Sequence, residues 1–197
     1  MSVSATEVKK LRDKTGAGFM DCKKALLESN GDIEKAVDFL RKKGIASAKK
    51  REGKTTNEGI IMTYLHPGNR IGVMVEINCE TDFVAKTDDF KQFAKNIAMQ
   101  IAAVNPMAVT REDVPQELVD KEKEIFRNQA LEEKKPEKII DKIVDGKLEK
   151  FYQANVLEEQ SFVKDTDKTV KEYLLEISGS LGENITIRRF VRYQLGE

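Results

Sequence analysis

The sequence predicts an α+β protein: an N-terminal three-helix bundle, followed by a core in which several helices fringe a small three-stranded antiparallel sheet. Three observations carry this. Apolar stripes at helical spacing, each with its own start and stop signals, occur three times before Gly44. Two β-branched runs, Ile60 to His66 and Arg70 to Cys79, flank Pro67-Gly68-Asn69, whose Pro-Gly pair suits the centre of a type II turn and so predicts a hairpin. A third run through Ile185, Ile187, Val191, Tyr193 and Leu195 alternates as a strand does, and it must pair with the hairpin because two strands alone are only marginally stable.

In chain order, Ser4 and Glu7 have the spacing of a capping box, and Val3 and Val8 that of a hydrophobic staple, so a helix opens at about Ala5 and stops at Thr15-Gly16-Ala17-Gly18. The second helix places Phe19, Cys22, Ala25, Leu26 and Met20 on its apolar side and ends at Asn30-Gly31. Asp32 caps the third, whose stripe is Ile33, Ala36, Val37 and Leu40, before Gly44. Residues 1–45 thus read as one bundle domain, 46–58 as a linker with a helical portion at Ala48-Lys49-Lys50, and 59–197 as the core. The linker's Lys49, Lys50, Arg51 and Lys54 are interrupted by Glu52 and lack an aromatic for base stacking, which favours a solvated segment over a nucleic-acid contact. After the hairpin, Thr87 or Asp88 caps a long helix marked by Phe90, Phe93, Ala94, Ile97, Ala98, Ile101 and Ala102. Pro115 and Pro136 suit first helical turns and Gly146 a helix end, predicting helices over 115–133, 136–145 and 147–156, with another over 169–181.

The 197 residues carry 34 Lys and Arg against 34 Asp and Glu, so no net charge draws the chain to nucleic acid or a membrane, and any partner must be recognised locally. Two cysteines make no disulfide framework, no secretory signal is recognised, and no apolar run spans a bilayer, which predicts a soluble, cytoplasmic chain. Catalytic equipment is scarce. His66, the one histidine, precedes a turn; Cys22 lies on an apolar helix face and Cys79 ends a strand. Phosphate-loop, dinucleotide and zinc-pair motifs are absent, and Asp88 and Asp89 are explained as helix N-terminal charges, Asp82 alone being no ligand set. The expectation is a protein with no metal, no cofactor and no covalent chemistry. What stands out is Phe83, at the corner between the strand through Ile77 and the following helix. There it either seals the end of the sheet as a core aromatic or projects outward from the rim.

Two segments carry a resemblance. Leu11-Arg12-Asp13-Lys14-Thr15-Gly16-Ala17-Gly18-Phe19-Met20-Asp21-Cys22-Lys23-Lys24-Ala25-Leu26 and Glu76-Ile77-Asn78-Cys79-Glu80-Thr81-Asp82-Phe83-Val84-Ala85-Lys86 resemble the two signature stretches of the elongation factor Ts family, and Gly182-Glu183-Asn184-Ile185-Thr186-Ile187-Arg188-Arg189-Phe190 resembles its terminal strand. The resemblance implies a guanine-nucleotide exchange factor that binds elongation factor Tu, both GDP-bound and nucleotide-free. It implies that the corner Thr81, Asp82, Phe83 and Val84 inserts its ring near the partner's magnesium site, dislodging Mg2+ so that GDP leaves and GTP enters. The bundle resembles ubiquitin-associated domains, with Phe19, Met20 and Lys23 as its partner contacts. The chain is similar to short members of the family, which lack an inserted coiled-coil hairpin and work as homodimers. Val191 stands where some of these carry a cysteine, so no intersubunit disulfide is expected. Relatives often place a histidine near Gln100, and an imidazole contact there is absent. The competing reading from another class is a non-catalytic adaptor that holds a peptide or helix on the bundle. A metal-dependent hydrolase is a third, lacking its ligand set.

Overall fold

Ser4 starts the first helix as a two-way cap: its hydroxyl accepts the Glu7 amide at 3.2 Å, and the Glu7 carboxylate accepts the Ser4 amide at 2.8 Å. The computed structural model describes residues 3–197. Helices α1 (Ala5–Thr15), α2 (Phe19–Glu28) and α3 (Ile33–Lys49) form the bundle, closed over Val8, Leu11, Cys22, Ala25, Leu26, Ala36 and Leu40 with Val3 packed alongside. Gly16 ends α1 with a left-handed backbone (φ 67°), and Asp32 caps α3 by accepting the Lys35 amide at 3.1 Å. Phe19 and Met20 are not in the buried stripe: both are exposed at the first turn of α2, while Cys22, Ala25 and Leu26 supply the inner face.

Beyond the bundle come β1 (Glu58–Leu65), β2 (Ile71–Cys79), a single turn α4 (Asp82–Ala85) and α5 (Asp88–Val104). Then follow α6 (Gln116–Glu132), α7 (Glu137–Asn155), β3 (Ser161–Phe162), β4 (Asp165–Thr169), α8 (Val170–Leu181) and β5 (Ile185–Gln194). The α+β expectation stands, with sheet order β1-β2-β5 and β2 central. The Asn69 amide bonds the His66 carbonyl at 2.9 Å across the predicted hairpin turn.

The chain divides into two compact units. The first takes residues up to Ile61, Glu76–Ala94 and Glu172–Thr186. In it the third helix does not stop at Gly44 but runs to Lys49, because Gly44 is a point of close approach: a Cβ on Gly179 of α8 would lie 2.5 Å from the Gly44 backbone. Arg41 pairs with Glu176 beside this crossing, and the Phe93 and Tyr173 rings meet at 5.2 Å. The second unit takes Met62–Val75, Lys95–Lys171 and Ile187–Glu197. Gly146 lies within α7 instead of separating two helices, since the stripe Ile140, Val144 and Leu148 continues through it. Helices α6 and α7 pair, with Ala130, Ile140 and Val144 buried together, and Val119 with Leu148 and Val156. The two-strand ribbon β3-β4 was not expected, its segment being too polar and short to alternate.

Strand β5 changes phase. Ile187 is buried, Arg188 and Arg189 are both exposed, and then Phe190 and Arg192 are the half-buried residues. Arg192 Nε donates to the Ala102 carbonyl of α5 at 3.4 Å, so Val191 and Tyr193 face away from that helix. On the neighbouring strands Leu65 and Met74 are likewise exposed, alternating with half-buried Tyr64 and buried Val73 and Val75.

Candidate functional site

The corner after β2 is built by two threonine caps, one on either side of the single turn α4. Thr81 caps α4, its hydroxyl oxygen accepting the Val84 amide at 3.4 Å. Thr87 then accepts the Phe90 amide at 3.3 Å to open α5, and its hydroxyl donates back to the Val84 carbonyl at 2.8 Å. Ala85 is the turn's buried anchor. Phe83, on the opposite side, is 78% exposed, which disposes of the sheet-sealing alternative. An aromatic left in water forgoes about 1.5–3 kcal/mol of burial.

Around the ring, Asp82 and Lys86 form an i,i+4 ion pair at 2.6 Å. The hydrogen bond from Lys86 holds the Asp82 carboxyl below its ordinary range, and the same bond raises Lys86. Beneath the turn, the Cys79 thiol donates to the Thr81 carbonyl at 3.1 Å, and burial first, then the nearby Glu183 charge, pushes it up to about 11. That thiol is a packed donor rather than a nucleophile.

Residues far away in sequence hold this backbone in place. One Glu183 carboxylate oxygen accepts the amides of Glu80 (3.1 Å) and Thr81 (3.0 Å), and the other accepts the Thr81 hydroxyl at 2.6 Å. In return the Glu80 carboxylate accepts the Asn184 amide at 2.7 Å, along with Arg51 at 3.0 Å and Lys54 at 3.4 Å. The Asn184 amide bond is the first cause of Glu80's lowered pKa. The Asn184 side chain donates to the Lys54 carbonyl at 2.8 Å. Arg51 and Lys54, read in sequence as members of a solvated linker, are therefore tied to the corner. Glu80, Glu183 and Asn184 are the site residues that the sequence reading missed.

Thr81, Asp82, Phe83 and Val84 thus share one turn, whereas Phe19, Met20 and Lys23 lie together on α2; both elements belong to the first unit. Phe19, Lys23 and, at 70%, Met20 are exposed, and Leu27 extends the Met20-Lys23 face by a further turn. Gln100, by contrast, is fully buried: its side chain bonds Gln160, the Ser161 carbonyl and the Val163 amide, so a contact with another molecule at that position is blocked by the fold. Among the described residues, no group of three or more His, Cys, Asp or Glu is arranged to hold a metal ion, and no helix is long and apolar enough to cross a membrane.

The protein-family model described as Elongation factor TS matches residues 43–197. A curated relative named Elongation factor Ts from Caldanaerobacter subterraneus subsp. tengcongensis is 60% identical over 195 residues, covering 99% of this chain and 98% of its own. The protein of that name from Moorella thermoacetica is also 60% identical over 195 residues, with 99% and 96% covered. The one from Desulfosudis oleivorans is 58% identical over 196 residues, with 100% and 99% covered. The family model takes in the exposed corner and the residues that clamp it, the relatives extend over the bundle as well, and on that extent the chain belongs to the elongation factor Ts family.

Proposed function

We propose that this chain is a guanine-nucleotide exchange factor for elongation factor Tu in translation elongation, acting in the cytoplasm by protein binding and without covalent chemistry or a cofactor of its own. The observation that carries the proposal is Phe83, an exposed ring held on a turn capped at both ends. In this reading Thr81, Asp82, Phe83 and Val84 enter the GTP-binding domain of elongation factor Tu and displace its Mg2+, which weakens GDP. Exchange then follows from differential binding: a factor that prefers the nucleotide-free conformation lowers GDP affinity by the same ratio that GDP lowers its own. Phe19, Met20 and Lys23 give a second attachment, so residues 1–45 grip the partner while 59–197, beyond the 46–58 segment, do the displacing.

The outer face of the sheet supports a homodimer. Leu65, Met74, Val191 and Tyr193 leave an apolar surface in the second unit, and a second copy of the chain would cover it across a two-fold axis. Balanced charge gives no support to direct nucleic-acid binding.

The adaptor reading draws on the exposed Phe19, Met20 and Leu27, since an apolar helix face can hold a partner without releasing nucleotide. Stopped-flow release of a fluorescent GDP from elongation factor Tu separates the two. Substoichiometric chain is expected to accelerate release; binding without acceleration would leave the adaptor.

A further inference from the structure

We propose that Glu183 is a positioning residue for nucleotide exchange, which sets the pose of Phe83 through the Thr81 hydroxyl. The proposal rests on the exchange reading above. The geometry is a relay. The Thr81 hydroxyl donates to Glu183 at 2.6 Å, and this turns the oxygen's lone pairs toward the Val84 amide, which it accepts at 3.4 Å. The same carboxylate takes the two backbone amides, of Glu80 and Thr81, that would otherwise point unpaired out of the end of β2. Three bonds to one ionised acceptor are charge-assisted and stronger than neutral ones.

The turn needs such a tie. Four residues of helix do not hold themselves, because nucleation costs more than one hydrogen bond returns. Phe83 contributes little packing of its own, being mostly in water. The reciprocal bonds from Asn184, Arg51 and Lys54 to Glu80 fix the residue before the turn, so the corner is tied through two carboxylates, Glu183 and Glu80. Without Glu183 the ring would occupy its competent orientation only part of the time, and the exchange rate would fall to that fraction of its value.

Two measurements test this on the full chain. The sequence contains no tryptophan, so Phe83→Trp places a sole indole at the corner. Its time-resolved anisotropy is expected to show restricted local rotation, and adding Glu183→Ala is expected to raise the amplitude of the fast component. Glu183→Gln, which keeps an oxygen for the two amides, should fall between. In GDP release from elongation factor Tu, Glu183→Ala is expected to lower the maximal rate about tenfold with the half-saturating concentration moved less than about threefold. The double variant Glu183→Ala with Phe83→Ala should be no slower than Phe83→Ala alone, because both act through one ring. If Glu183→Ala does not fold, Glu183→Gln carries both tests, with losses in the same direction and smaller. Unchanged anisotropy, a lowered melting temperature with an unchanged maximal rate, or multiplying losses in the double variant each overturn the role of Glu183. A parent protein that does not accelerate GDP release overturns the exchange reading instead, whatever the anisotropy shows.

Discussion

Phe83 and Glu80 are the residues at which burial and charge make separable predictions. A buried Phe cut to Ala costs about 3–5 kcal/mol, but Phe83 is 78% exposed and has little packing to lose. Phe83→Ala is therefore expected to melt within a few degrees of the parent, while GDP release from elongation factor Tu slows about tenfold or more, a loss of about 1.4 kcal/mol of preference for the nucleotide-free partner. Glu80 is tied by Asn184, Arg51 and Lys54, and its folded pKa lies below the ordinary 4.5. A lowered carboxylate pKa means that the tie contributes fully above 4.5 and is lost as pH falls through the folded value. An NMR titration should find the Asn184 amide shift following Glu80 with a midpoint below 4.5; a midpoint at or above it would show the tie to be absent in solution. The corner itself was legible, because a strand pattern running into capping residues marks a rim. Its exposure was not, since alternation leaves Phe83 free to point either way. The partners Glu183 and Asn184 were beyond reach for another reason: they lie 102 to 130 residues from the groups they hold, and no local spacing encodes such a pair.

Elements were legible where their signals were local and redundant. Ser4 with Glu7, Asp32 with Ile33, and the Pro67-Gly68 turn all act where they were read. Glycines misled, because the residue that ends a helix also serves where two helices must touch or where nothing touches at all. Gly44 and Gly179 are the first kind and Gly146 the second, and the two cases predict opposite signs. Gly146→Ala meets no atom within 4 Å inside α7, so it is expected to raise stability by about 0.5–1 kcal/mol. Gly179→Ala drives a methyl to 2.5 Å from the Gly44 backbone and is expected to cost about 1–3 kcal/mol despite the better helix former. Urea unfolding of both variants checks the pair, and equal shifts of one sign would show that the α3-α8 crossing has room for a methyl group. The β3-β4 ribbon was illegible because Asp165-Thr166-Asp167-Lys168 carries no apolar alternation.

At the scale of the molecule, the proposed homodimer rests on the outer sheet face. Tyr193 is 74% exposed beside Val191 and Met74, and we expect sedimentation at micromolar concentration to find a species of twice the 22.3 kDa chain mass. Tyr193→Asp should reduce it to the single chain without lowering secondary structure, whereas a parent that sediments as one chain would refute the dimer. The α+β class followed from periodicity alone, but the phase change at Arg188-Arg189 did not, because a strand that shifts by one residue keeps its alternating letters while swapping its faces. The first unit is gathered from three stretches, the last reaching Thr186. During synthesis, then, the nascent chain carries Phe83 long before it carries the carboxylate that orders Phe83. A product released early, short of Glu183, would hold the whole signature corner and still present it slack, so that only chains made almost to their final strand become competent.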